Sequence, residues 1–200
     1  MEIVYQDADL IVVNKPGGLL SVPGRGADKQ DCAIHRIQAI HPEALTVHRL
    51  DMATSGLLVM ARGPVQQRLL SEEFRERRVH KRYVAQLSGH LEAQGWQQVD
   101  LPLLADWPNR PRQKIDFLAG KPSLTRWRVL AQHEAGTRVE LEPVTGRTHQ
   151  LRVHMLALGH PIVGDALYGP DASDDQRLLL HASVLELPAR GLALQCPPDF

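Results

Sequence analysis

Along this chain, hydrophobic periodicity switches repeatedly between two residues and about 3.6, and that alternation restricts the fold to the mixed α and β class. Leu10–Val13 is a run rich in β-branched residues. It is ended by Asn14-Lys15-Pro16-Gly17-Gly18, whose composition is that of a turn. A first strand is expected near Ile3, and further strands over 57–61, 83–87, 99–104, 125–130, 138–142, 178–187 and 192–195. Asp31 is expected to cap a short helix with Ile34, Ile37 and His41 on one face. Pro64 suits a first helical turn, with Val65, Leu69 and Phe74 as the apolar stripe through Arg78. A third helix is expected from Thr148 to Leu158, with Leu151, His154, Met155 and Leu158 at i, i+3, i+4 and i+7. Residues 105–123 form a Pro-, Asn- and basic-rich excursion, and loops of that length inside compact domains are usually functional or disordered.

Two hundred residues, 43% hydrophobic and 23% charged, are enough to bury one core, and the expected organisation is a single domain over 1–200. No repeat or linker separates a second one. Lys and Arg number 23 against 23 Asp and Glu. A net charge of zero excludes a protein that coats polyanions by bulk charge, but leaves room for a local basic groove. No apolar run approaches the ~18 to 20 residues of a membrane helix, and the N-terminus lacks the pattern of a signal peptide. Cys32 and Cys196 form no metal or redox pattern and fit reduced thiols. The expected setting is cytoplasmic, without membrane contact.

The sharpest local feature is His48-Arg49-Leu50-Asp51-Met52-Ala53-Thr54-Ser55-Gly56, just before the apolar run 57–61. If residues 48–51 are extended, Arg49 and Asp51 point to one side and Leu50 to the other. An adjacent arginine keeps a sheltered carboxylate ionised, as a nucleophile or base requires. From the pairing alone, a structural ion pair is the better account of the two residues, because such pairs are common.

The full string resembles the catalytic motif of the RluA family of pseudouridine synthases, HRLD followed by two residues and TSG. Four further segments agree in order: Asn14-Lys15-Pro16-Gly17-Gly18-Leu19, Lys81-Arg82-Tyr83-Val84-Ala85, Gly146 to His154 (GRTHQLRVH), and Gly164-Asp165-Ala166-Leu167-Tyr168-Gly169. The resemblance implies an α+β pseudouridine synthase fold, with a mixed, mainly antiparallel sheet flanked by helices and loops. It implies isomerisation of uridine to pseudouridine in RNA, with Asp51 as the essential carboxylate acting as nucleophile or as base. Tyr83 matches the family's active-site tyrosine, Arg49 the residue that fills the space of the flipped base, and Arg152 the arginine that pairs with the aspartate. Leu151 would form part of the apolar wall, and His48 and Arg147 are further substrate-binding candidates. Read without the resemblance, Tyr83 is a core ring and Arg152 a helix-surface charge. The net reaction requires no cofactor and no metal.

Flipping a base out of its stack costs a few kcal/mol, and stacking on one ring returns about 1–3 kcal/mol, so Tyr83 alone nearly offsets the flip. Two basic clusters suit phosphates: Arg75, Arg77, Arg78, Lys81 and Arg82 at the end of the second helix, and Arg110, Arg112 and Lys114 on the excursion, beside Trp107. The first is also readable as a solvated helix end, because Glu72, Glu73 and Glu76 lie among it. Ten histidines include no metal-binding spacing, so satisfied structural histidines are expected. Ser55 near His48 and Asp51 does not make a hydrolase, because G-x-S-x-G is absent.

The segments Asp106–Pro111 and His154–Pro161 in a short chain resemble the dual-specificity branch of the family. That branch modifies a uridine in large-subunit (23S) ribosomal RNA and another in the tRNA anticodon stem-loop. With the first strand expected near Ile3, no N-terminal S4 domain is expected; a monomer is expected, and no protein partner is implied. A mono-specific rRNA or tRNA enzyme and a non-catalytic RNA-binding module are the alternatives, although the latter leaves the Asp51 motif unexplained.

Overall fold

The computed structural model describes residues 1–134, 136–169 and 177–200. Its elements run β1 (Glu2–Gln6), β2 (Leu10–Lys15), α1 (Ala33–Gln38), β3 (Ala44–Thr46), β4 (Ser55–Arg62), α2 (Gly63–Arg75), β5 (His80–Leu87), β6 (Gln97–Asp100), β7 (Leu103–Ala105), β8 (Gln113–Ile115), β9 (Leu124–His133), β10 (Gly136–Pro143), α3 (Gln150–Ala157), β11 (Leu180–Leu187) and β12 (Leu192–Gln195). They fall into two compact units. Unit 1 is Met1–Lys81 with His181–Asp199, and unit 2 is Arg82–Leu180 with Phe200.

Unit 1 is built on β4, which is buried along its length up to Arg62, as a central strand with a near-continuous apolar run should be. β1 pairs antiparallel with β2, and β2 with β4. The other edge of β4 is shared: β3 covers Met60–Arg62 antiparallel, while His181 and Ala182 of β11 run parallel to Ser55 and Gly56. β12 closes on β11. Gly56 has φ +108°, and a Cβ there would land on the Ala182 backbone, so this position of the motif admits only glycine. The core is Leu10, Val12, Leu57, Val59, Leu70, Leu185 and their neighbours.

α2 turns a different face to that core than the expected stripe. Leu70 and Glu73 are buried, whereas Val65 is 60% and Leu69 41% exposed. At about 100° per residue, Phe74 lies roughly 180° around the helix from Val65, so those three residues cannot share a face. The inward face is polar in part: Gln66 donates to Asp9 and accepts from Arg190, whose guanidinium also reaches Glu73 at 3.5 Å. Asp31 does not cap α1 either. Cys32 holds the cap position without a side-chain bond, and Asp31 makes a two-point pair with Arg36.

In unit 2, β5, β10, β9 and β6 form an antiparallel run, with Tyr83 opposite Leu141 and Val99 opposite Thr125. The expected single strand over 99–104 is two strands broken at Leu101-Pro102, because proline has no N–H for a ladder. The excursion is ordered: β7 and β8 pair as a hairpin, with Leu103 and Ile115 packed towards Val153, Leu167 and Tyr168. α3 starts later than expected because His149 takes a left-handed conformation, φ 53°. Gln150 and His154 fasten α3 to β9: Gln150 Nε2 donates to Leu124 O and Thr125 Oγ1, and His154 Nδ1 lies 2.8 Å from Thr125 Oγ1.

Candidate active site

The candidates from sequence separate into two groups, one in each unit. His48, Arg49 and Asp51 belong to unit 1; Tyr83, Arg110, Arg112, Lys114, Arg147, Leu151 and Arg152 belong to unit 2.

In unit 1, the segment 47–54 follows β3 and has no ladder of its own, so side chains hold it. The Ser21 hydroxyl donates to Leu50 O at 2.7 Å and accepts the Leu50 N–H at 3.0 Å. Met52 O accepts from Lys15 Nζ at 3.1 Å and from the Gly18 amide at 2.9 Å, and Thr54 N–H closes a turn onto Asp51 O at 3.1 Å. Leu50 is buried between exposed Arg49 and half-buried Asp51, which is the alternation expected of an extended segment.

Lys15 is fully buried at the end of β2, and its ammonium also reaches the carbonyls of Pro16 and Leu19 at 2.9 and 2.8 Å. Burial lowers its pKa to about 8, against the opposing pull of the Asp51 charge. The Asn14-Lys15-Pro16 motif by itself assigns this lysine no role, and no sequence signal marks Ser21.

His48 is placed as an anchor. Its Nε2 accepts the Val59 N–H at 3.0 Å, taking the position on the β4 edge that β3 leaves uncovered. Its ring stacks on Phe74 at 4.3 Å, and Lys81 Nζ lies 5.5 Å from the centre of the Phe74 ring. Burial, helped by the Lys81 charge, pushes the imidazole down to about 3, so it is neutral at physiological pH. Lys81 is thus part of a packed stack. Arg75 pairs with Glu72 and Glu76, and Arg78 with Glu76, so much of this first basic cluster answers its own acids.

In unit 2, Tyr83 is buried on β5 and Leu151 on α3. Arg152 is 4% exposed and therefore not a helix-surface charge. Its Nε donates to Asp165 Oδ2 at 2.7 Å and its Nη2 to Oδ1 at 2.6 Å. Asp165 Oδ1 also accepts the amides of Leu167 and Tyr168. The Arg152 guanidinium sits 5.0 Å from the Tyr168 ring centre. The Tyr168 hydroxyl accepts Gln113 N–H at 2.7 Å and lies 2.8 Å from His149 Nδ1, tying the hairpin to the start of α3. The Gly164–Gly169 segment thus supports Arg152, a role its pattern alone did not specify.

Arg110, Arg112 and Lys114 are exposed along the hairpin. The Arg110 guanidinium lies 3.3 Å from the ring centre of Trp107, itself 64% exposed, and Lys114 is 3.8 Å from Asp116. Arg147 is exposed and donates to Pro122 O at 3.2 Å. The histidines at 154 and 181 are satisfied at both nitrogens. His154 bonds Thr125 and Leu101, and His181 bonds Ser55 Oγ at 2.8 Å and Cys196 O at 3.1 Å. Ser55 and His181 are both buried, a packed pair rather than a hydrolytic one. Among the described residues, no three His, Cys, Asp or Glu side chains group as a metal site, and no helix is long and apolar enough to cross a membrane.

Residues 9–157 match the RNA pseudouridylate synthase family. The chain is 52% identical, over 99% of its length and 93% of the relative's, to the dual-specificity RNA pseudouridine synthase RluA of Escherichia coli K12. It is 48% identical to the protein of that name in Pasteurella multocida, over 100% and 94% of the two chains. Its fold is similar to that of human RNA pseudouridylate synthase domain containing 1, with TM-score 0.81 and 34% identity over 99% of this chain and 83% of that one.

Proposed function

The chain belongs to the RNA pseudouridylate synthase family, and from that premise we propose that it is a dual-specificity enzyme, acting on a uridine of 23S ribosomal RNA and on one in the tRNA anticodon stem-loop. Membership makes it an isomerase of RNA: the N1–C1′ bond of uridine breaks, the base turns, and C5 joins C1′ while the C5 proton leaves and N1 takes up a proton. The dual reading is supported by the 52% identity, over nearly the full chain, to an enzyme named for two substrates.

Asp51 is the carboxylate that carries the reaction, as nucleophile or base. The observation that supports this most is the loop around it, whose Leu50 N–H and the carbonyls of Leu50, Asp51 and Met52 are held within unit 1. A reacting carboxylate gains rate from being fixed before substrate arrives. Tyr83 supplies a ring for the flipped base, Leu151 an apolar wall and Arg152 a buried guanidinium oriented by Asp165. Arg49, exposed beside Leu50, is free in reach to occupy the space the base vacates. His48 serves substrate binding by anchoring the loop that carries Arg49. Arg110, Arg112, Lys114 and Arg147 meet phosphates, where exposed cations set position and not sequence. The enzyme works as a cytoplasmic monomer without a cofactor.

The test is tritium release from C5-labelled uridine in unmodified tRNA anticodon stem-loops and in 23S rRNA hairpin fragments. Release from both is the expected result. Release from one alone makes the enzyme mono-specific, and RNA binding without release makes it a binding module.

A further inference from the structure

We propose that Ser21 is a positioning residue for Asp51, a role that rests on reading Asp51 as the catalytic carboxylate. Leu50 precedes Asp51 directly, and both of its backbone polar groups end on one hydroxyl, Leu50 O at 2.7 Å and Leu50 N at 3.0 Å from Ser21 Oγ. Both residues are buried, Ser21 at 4% and Leu50 at 5% exposure, so water does not readily replace that bond pair.

Ser21 is itself fixed. Its carbonyl accepts the Ile34 amide at 3.2 Å, and the preceding Leu20 carbonyl accepts the Ala33 amide at 2.7 Å. The opening amides of α1 thus hold the chain at 20–21, and the Ser21 hydroxyl passes that anchor to Leu50, 29 residues away. On the far side, Asp51 O is held by Thr54 N–H, and Met52 O by Lys15 and Gly18. Asp51 is therefore bracketed, and Ser21 is the clamp on its N-terminal side. Without the hydroxyl, the peptide leading into Asp51 can rotate and carry the carboxylate off line. A misplacement of about 1 Å is enough to cost about 100-fold in rate.

The experiment compares wild type, Ser21→Ala, Ser21→Thr and Asp51→Ala by single-turnover C5 tritium release, by RNA affinity, and by native-state exchange of the Leu50 amide. Ser21→Ala should slow the single-turnover step about 10- to 100-fold while RNA affinity changes less than about threefold. Ser21→Thr, which keeps the hydroxyl, should recover most of the rate. The wild-type Leu50 amide should exchange slowly, a readout available even if Ser21→Ala does not fold. A Ser21→Ala rate within about twofold of wild type, with Asp51→Ala inactive, overturns the positioning role alone. Unprotected exchange at Leu50 does the same. An active Asp51→Ala overturns the reading of Asp51 on which the role depends.

Discussion

Arg152 and Asp165 form a two-point ion pair, 2.7 and 2.6 Å, with side chains 5% and 1% exposed. Asp165 completes its acceptor capacity with the amides of Leu167 and Tyr168, so the pair orders the turn as well as the guanidinium. Removing Asp165 takes a buried two-point contact from the Arg152 guanidinium and the acceptor from the Leu167 and Tyr168 amides. Asp165→Ala should therefore lose about 3–5 kcal/mol of stability, read from its denaturant midpoint. Loss under about 1 kcal/mol would place the pair in a wetter setting than the structure gives it.

Lys15 has its folded pKa pulled from 10.5 to about 8 by burial. Between those values the unfolded chain holds a proton that the folded chain has released, so stability rises with pH over that window. The slope should approach about 1.4 kcal/mol per pH unit from this group and be missing in Lys15→Met. That variant should be less stable throughout, because the Pro16, Leu19 and Met52 carbonyls each lose the lysine's hydrogen bond. An unchanged slope in the variant would assign the titration to another group.

His48 works in the acid range. Its folded pKa of about 3 against 6.5 means the unfolded chain takes up a proton first as pH falls, so stability is lost from 6.5 down to about 3. At pH 5 the loss from this group is up to about 2 kcal/mol. His48→Gln keeps an acceptor for Val59 N–H without a titrating ring, and should flatten that part of the pH–stability curve.

These anchors explain what the sequence made legible and what it did not. Strand β4, the hairpin partner strands β9 and β10, and β12 were readable because alternation or a continuous apolar run is written in adjacent residues. Asp51, Tyr83 and Arg152 were marked by motifs. The role of Lys15 within its motif, and Ser21 altogether, were not, because their partners are backbone groups of Met52 and Leu50, and a backbone carbonyl or N–H has no residue signature. The same holds for α2, where a partly buried Gln66–Arg190–Glu73 association sits on the face that apolar residues alone did not mark. Order in the excursion was hidden too, since its hairpin depends on Tyr168, 55 residues from Gln113.

The hairpin cations bear on affinity. Arg110→Ala with Arg112→Ala should weaken RNA binding and flatten its dependence on log salt by about 0.7–0.9 per lost phosphate contact. The single-turnover rate at saturating enzyme should stay near that of wild type. Titrations at several salt concentrations measure both quantities, and an unchanged slope would take the hairpin off the RNA path.

The most direct measurement is single-turnover C5 tritium release by wild type and Asp51→Ala on one RNA, with affinity measured alongside. The expected result is release by wild type, none by Asp51→Ala, and similar RNA binding by both. Release by Asp51→Ala at a comparable rate would contradict the assignment of this carboxylate to the chemistry.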